Sequence, residues 1–85
     1  MAYRVEFTDA ARRQLISLEA DARQRIAVSI RALADNPRPF GCVKLEGKET
    51  GYRIRVGDDR VVYHIDDSAL RVTVVKIAHR REVYR

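Results

Sequence analysis

Two prolines separated by one residue, in Asn36-Pro37-Arg38-Pro39, divide the chain into halves with different hydrophobic periodicity. Proline has no backbone N–H and clashes with the preceding helical turn, so no helix continues through this segment. Apolar residues recur at helical spacing before it, whereas short apolar–polar alternations typical of strands follow it. The chain is therefore predicted to belong to the α+β class. Its 85 residues suffice for a single domain, 1–85.

The first half predicts one strand and two helices. Residues 2–7 alternate apolar and polar side chains, which favours a half-buried strand. Thr8 then offers a hydroxyl as a helix N-cap, and Asp9 places negative charge at the positive end of the helix dipole. A first apolar stripe, a break at residues 19–21 and a second apolar stripe predict an antiparallel pair of helices. The stripes consist of Ala11, Leu15 and Leu18, and of Ala22, Ile26, Ile30 and Leu33.

The second half contains four predicted strands, at residues 43–46, 51–56, 60–66 and 70–78. Tight turns between consecutive strands favour an antiparallel meander. A two-residue turn at Asp58-Asp59 would place Val56 opposite Val61. That register would bring the six apolar side chains of the hairpin to one face, and the burial of this face would specify the register.

The opposite face of this hairpin then carries four basic side chains, those of Arg53, Arg55, Arg60 and His64. Cations on neighbouring strands repel one another unless something neutralises them. Two interpretations remain open: a solvated face on which salt screens the repulsion, or a face that binds a polyanion, most commonly a phosphodiester backbone. Fourteen of the seventeen basic residues are arginines, which clamp phosphate bidentately. The net charge of +5 alone is only a weak indication of nucleic acid.

Composition argues against several classes of protein. No apolar run reaches the roughly 18 residues that a membrane span requires, and the N-terminal residues lack the apolar core of a signal peptide. One cysteine, Cys42, cannot form an internal disulfide, and the sequence contains no CxxC or HExxH metal motif. We therefore expect a soluble cytoplasmic protein that has no cofactor and does not associate with a membrane.

The C-terminal residues supply a second group of candidates, Arg80, Arg81 and Tyr84. If the last strand runs beside the hairpin, its end could carry Arg80 or Arg81, together with Tyr84, toward the arginine face. Tyr84 could stack on a base or transfer a proton, although a tyrosine this close to a terminus is more often part of a frayed tail. His64 and His79 are each more often incidental surface residues than catalytic bases.

The order of elements and several motifs resemble the RelE/ParE superfamily of bacterial type II toxins, and within it the RelE branch. The likeness covers MAYRVEFTDAARRQLISL at residues 1–18, KLEG at Lys44–Gly47, GYRIRVGDDRVVYHID at Gly51–Asp66 and KIAHRREVY at Lys76–Tyr84. It implies an N-terminal strand and a two-helix hairpin packed on one face of a small antiparallel β-sheet. RNA would bind on the other face.

RelE toxins are ribosome-dependent endoribonucleases that cut messenger RNA in the decoding A site of the 30S subunit, and the resemblance implies this activity here. The 2′-hydroxyl of the RNA would attack the adjacent phosphorus in line. The products would be a 2′,3′-cyclic phosphate and a 5′-hydroxyl, formed without a metal. The protein would orient the backbone, neutralise the developing charge and move protons.

The resemblance also assigns roles to individual residues. Arg53 and Arg55 stand where the family usually has lysines that contact phosphate and stabilise the transition state, a change that keeps the charge but not the geometry. Arg60 matches the family's phosphate-binding arginine. Arg80 matches the arginine proposed as general acid, and Tyr84 the tyrosine proposed as general base. Secondary RNA contacts are expected from His64, His79 and Arg81.

The family further implies a cognate RelB-like antitoxin that neutralises the toxin. Two other functions remain open. A ParE-like toxin would share the fold but inhibit DNA gyrase without nuclease activity. A non-catalytic RNA-binding module would use the arginine face without chemistry.

Overall fold

The structure, a computed structural model, describes residues 2–79. Its elements are β1 (Arg4–Phe7), α1 (Asp9–Ile16), α2 (Ala20–Ala32), β2 (Val43–Lys44), β3 (Gly51–Val56), β4 (Asp59–Asp66) and β5 (Arg71–His79). The α+β class is confirmed. Neither helix in this part of the chain combines the length and the apolar character needed to cross a bilayer.

The start of α1 follows the predicted chemistry. The Thr8 hydroxyl accepts a hydrogen bond from the backbone N–H of Ala11 at 3.1 Å, and Asp9 lies in the first turn. This bond satisfies one of the N–H groups that a helix start leaves without an intrahelical partner.

The break between the helices lies two residues earlier than predicted. It spans residues 17–19, and α2 begins at Ala20. Nη1 of Arg23 donates to the carbonyl oxygens of Ile16 at 3.3 Å and Leu18 at 2.9 Å. Because a side chain from α2 satisfies these carbonyls at the end of α1, the chain turns there rather than at residues 19–21.

The five strands form one sheet in the order β1-β5-β4-β3-β2. Strands β2 to β5 make the predicted antiparallel meander. The N-terminal strand joins the sheet at its far edge, parallel to β5, with Arg4 opposite Arg71 and Phe7 opposite Val74. The predicted strand at 43–46 is reduced to Val43–Lys44, because the chain then enters turns.

The core lies between the two helices and one face of this sheet. Ile26 and Ile30 of α2, and Leu33 directly after it, are buried in one cluster with strand residues such as Tyr63 and Val74. Each of these five side chains is at most 2% exposed. The helices therefore cover one sheet face. We refer to the opposite face, which carries Arg53 and Arg55, as the open face.

The predicted register of the β3–β4 hairpin is wrong by two residues. The turn is Gly57-Asp58, so Val56 lies opposite Asp59, not Val61. Gly57 has a φ of 61° at the first central position, where a type II′ turn favours glycine. Since side chains alternate with a period of two, a shift of two residues leaves every side chain on its predicted face.

A β-bulge interrupts the pairing of β4 with β5. Val62 lies opposite Lys76 and Tyr63 opposite Val74, so Val75 is the extra residue. The bulge changes the phase of β5, which allows both Val74 and Ile77 to point into the core. Lys76 is consequently exposed on the open face.

Candidate functional site

Three arginine side chains of the open face line one cleft. The cleft has a volume of about 210 Å³ and is lined by Gly41, Val43, Arg53, Arg55 and Arg60. We refer to these five residues as the arginine cleft. Of these five described residues three are cations and none is a carboxylate, so this part of the lining concentrates positive charge.

Strand pairing brings the three guanidinium groups together. Arg55 lies directly opposite Arg60 across the β3–β4 ladder, whereas Arg53 lies between Val62 on β4 and Val43 on β2. Side chains opposite each other in an antiparallel pair have Cβ atoms about 5 Å apart. The predicted convergence of these three arginines is therefore confirmed as geometry.

The three arginines differ in exposure. Arg60 is only 4% exposed, Arg53 is half-buried and Arg55 is exposed. A cation held at low exposure has lost much of its hydration, so a bound anion would interact with it more strongly than with a fully solvated charge. The cleft thus offers a recessed guanidinium with more accessible ones beside it.

The loop that supplies Gly41 is attached to the sheet at its first proline. The Tyr63 hydroxyl is buried and donates to the Pro37 carbonyl oxygen at 2.8 Å. Burial raises the pKa of Tyr63 above its ordinary value, so the phenol keeps its proton and remains a donor. Gly41 itself has a φ of 91°, a backbone conformation that favours glycine.

A second attachment of this loop is ionic. Arg38 makes two hydrogen bonds to Asp67, at 3.3 and 2.9 Å, and its guanidinium stacks on the Tyr52 ring at 5.2 Å. Tyr3 donates to the same Asp67 carboxylate at 2.6 Å. The hydrogen bonds from Arg38 and Tyr3 lower the pKa of Asp67, and the bond to Asp67 raises the pKa of Arg38.

The two histidines do not line the arginine cleft. His64 lies on the predicted face, but its Nδ1 is 2.9 Å from the Thr50 hydroxyl oxygen, in a separate concavity that also contains Arg71. His79 lines another groove, together with Gln14. His64 therefore shares the face of the three arginines, as predicted, but not their cleft, because the hairpin register places it opposite Gly51, toward the other end of the strands.

Sequence reasoning missed three residues of this face. Gly41 and Val43 line the cleft because the proline-rich loop and the short β2 strand border β3. Lys76 lies on the same face, opposite Val62. In a regular strand Lys76 would share the buried face of Val74, so the bulge at Val75 is what brings Lys76 to this face.

Three predicted site residues, Arg80, Arg81 and Tyr84, lie outside the described residues. Within residues 2–79, no cluster of three or more His, Cys, Asp or Glu side chains is arranged to hold a metal ion. The free thiol of Cys42 is half-buried.

Known proteins match the chain in sequence and in fold. The family model for the ParE toxin of type II toxin-antitoxin system, parDE, matches residues 5–84. Toxin RelE of Mycobacterium tuberculosis (strain ATCC 25618 / H37Rv) is 37% identical over 84 residues, covering 98% of this chain and 87% of that protein. A chain of the archaeal RelE–RelB complex from Pyrococcus horikoshii has a TM-score of 0.83 at 30% identity, covering 94% of this chain and 97% of that chain. The isolated E. coli RelE toxin also has a TM-score of 0.83, at 26% identity over 98% of this chain and 92% of that chain.

Proposed function

Because the chain belongs to the RelE/ParE superfamily and is a RelE-like toxin of a type II toxin–antitoxin system, we propose that its arginine cleft cleaves messenger RNA in the ribosomal A site. The observation that carries this proposal is the convergence of Arg53, Arg55 and Arg60 on one cleft. A guanidinium group binds the oxygens of a phosphate through paired, charge-assisted hydrogen bonds. A cleft lined by three of them therefore suits a phosphodiester backbone.

The three arginines of the cleft have two different roles toward the phosphate. Arg60, at the strand junction and largely buried, holds a non-bridging oxygen in place. Arg53 and Arg55 are more accessible and neutralise the charge that develops on phosphorus as the nucleophile attacks. Orientation contributes as well, because the RNA brings its own nucleophile on the adjacent ribose.

The proposed reaction is a transesterification within the RNA. The 2′-oxygen forms a bond to phosphorus while the bond from phosphorus to the 5′-oxygen breaks. Tyr84, as phenolate, takes the 2′-hydroxyl proton, and Arg80 donates a proton to the leaving 5′-oxygen. These two roles follow from the family resemblance. An unperturbed tyrosine has a pKa of about 10, so nearby guanidinium charge would have to lower the pKa of Tyr84 for it to act at neutral pH.

The decisive experiment incubates the purified protein with ribosomes programmed with a defined message and maps the new 5′ ends. We expect cuts within the A-site codon that leave 2′,3′-cyclic phosphate and 5′-hydroxyl ends. The double variant Arg53→Ala/Arg60→Ala is expected to lose cleavage. Arg13→Ala/Arg31→Ala is the matched control, because it removes the same charge from exposed positions on the helices. Intact messages with the wild-type protein would refute the proposal.

Gyrase inhibition is the second candidate, because the matching family model is that of the ParE toxin. The same preparation is therefore assayed for inhibition of DNA supercoiling by gyrase. Inhibited supercoiling with an uncut message would favour this candidate. Binding to programmed ribosomes without scission or supercoiling inhibition would favour an RNA-binding module.

A RelB-like antitoxin is the proposed partner. The similar structures include RelE–RelB complexes from Pyrococcus horikoshii and from E. coli. An acidic segment of the antitoxin that folds on binding would complement the net charge of +5. Co-expression with the cognate antitoxin should abolish toxicity and allow the two proteins to be purified together. The cytoplasm is the proposed location, since ribosomes programmed with message are there.

A further inference from the structure

The side chain of Phe40 projects completely into solvent beside the arginine cleft. Its relative exposure of 107% means that the ring makes no contribution to the core. The chain's other phenylalanine, Phe7, is instead packed against that core. Phe40 buries almost none of its apolar surface in the free protein, so a ligand that covered the ring would gain the free energy of that burial.

The exposure of Phe40 does not come from a loose loop. On its N-terminal side the Pro37 carbonyl oxygen accepts a hydrogen bond from the Tyr63 hydroxyl, and the Arg38 guanidinium donates a hydrogen bond to the Asp67 carboxylate. On its C-terminal side the backbone N–H of Cys42 donates to the carbonyl oxygen of Pro39 at 3.0 Å, which closes a turn around the phenylalanine. The ring is therefore presented from an anchored segment.

Phe40 is also next to the cations. The following residue, Gly41, lines the arginine cleft. Arg55 lines both that cleft and a neighbouring pocket of about 220 Å³ that contains Phe40 and Pro39. An aromatic face and a row of guanidinium groups thus share a border at Arg55.

We propose that Phe40 stacks on a base of single-stranded message next to the phosphate held in the arginine cleft. This inference rests on the proposed function and adds a residue that positions the RNA. Proteins that hold single-stranded nucleic acid combine a positive groove along the backbone with aromatic side chains under the bases. Every base has a π-face, so the contact tolerates sequence variation. A hydrophobic partner protein would not need cations along the same border.

The test uses programmed ribosomes whose A-site codon carries 2-aminopurine, a base analogue whose fluorescence falls on stacking. One set of messages is cleavable, and a second set carries a 2′-deoxy nucleotide at the scissile position. The variants are Phe40→Ala, Phe40→Leu, which keeps apolar bulk, and Phe40→Trp, which keeps the π-face. Val28→Ala is the control, since Val28 is another exposed hydrophobic residue, on α2.

Stacking predicts a specific pattern among these variants. For Phe40→Ala and Phe40→Leu, the toxin concentration that gives half-maximal cleavage should rise about 5- to 150-fold, and the fluorescence quenching should be lost. Phe40→Trp should stay close to the wild-type protein in both measurements. Val28→Ala should behave like the wild type.

Several outcomes would overturn the inference. A Phe40→Leu variant that keeps wild-type half-saturation would show that no aromatic face is used. A raised half-saturation with unchanged quenching would mean that the ring contacts something other than a message base. Unchanged cleavage with weakened antitoxin binding would make Phe40 a protein-docking residue. In each of these cases the wild-type protein still cuts the message, whereas failure of the proposed function would show as no cleavage by the wild-type protein.

Discussion

Arg55→Gln is expected to make the protein more stable, although it removes one cation from the arginine cleft and so lowers its attraction for a phosphate. Arg55 and Arg60 lie directly opposite each other on β3 and β4. Two unit charges about 6 Å apart repel by about 0.7 kcal/mol even at the dielectric constant of water. The exposure of Arg55 and its freedom to move reduce this repulsion, so we expect a gain of about 0.3–0.5 kcal/mol in the free energy of unfolding.

The assay is thermal unfolding at low and high salt. For a domain of this size a gain of about 0.3–0.5 kcal/mol corresponds to an increase in Tm of about 1–4 °C. The increase should nearly vanish at 1 M salt, where the Debye length is about 3 Å. Arg55→Lys keeps the charge and should show little change.

The matched control for charge is Arg31→Gln. Arg31 lies in the last turn of α2, where a cation interacts favourably with the helix dipole. This variant should therefore lose stability although it removes the same unit of charge. If Arg55→Gln lowers Tm, or if its salt dependence matches that of Arg31→Gln, repulsion within the cleft is not present and the electrostatic argument fails.

Three further variants test other contacts by equilibrium unfolding. Thr8→Ala removes the N-cap of α1 and should cost about 1 kcal/mol, whereas an unchanged unfolding midpoint would show that the cap is energetically silent. Tyr63→Phe leaves the buried Pro37 carbonyl without its donor and should cost about 1–3 kcal/mol; a neutral effect would mean that this attachment does not hold the loop. Asp67→Asn should destabilise at neutral pH, and the difference from wild type should shrink as the pH falls below the ordinary carboxyl pKa of 3.8. The sign follows because the pKa of Asp67 is lower in the folded than in the unfolded protein, so its ionised form stabilises the fold above pH 3.8 and this contribution is lost in acid. A difference between the variant and the wild type that persists in acid would contradict the role assigned to the pairing with Arg38.

Much of the fold could be predicted because local chemistry and burial agree. The Thr8 cap and the proline-rich segment fixed where α1 starts and where the helical half ends. The alternation in the 51–66 hairpin put the arginines on one face, and that assignment survived a register error of two residues. The error arose because Gly57-Asp58 and Asp58-Asp59 are both plausible turns, and the alternation alone does not distinguish them.

What could not be predicted depends on distant parts of the chain. No local pattern pairs β1 with β5, and none shows that Arg23 ends the first helix. The contents of the cleft likewise follow from tertiary packing: Gly41 reaches it because a loop is held by Tyr63 and Asp67. His64 is an example: the alternation of side chains predicts the face on which it lies, but it does not predict whether two side chains of that face line the same cleft.

The pairing of β1 with β5 has a consequence for how the molecule assembles. Arg4 and Arg71 become neighbours only when the intervening chain has been closed into one loop, the slowest kind of contact to form. The strands that carry Arg53, Arg55 and Arg60 need only a two-residue turn to meet. During synthesis the cationic hairpin can therefore pair as soon as it emerges, whereas the first strand waits for almost the last one. Docking of β1 would then be the late step in folding, after the hairpin that carries the three arginines has already formed.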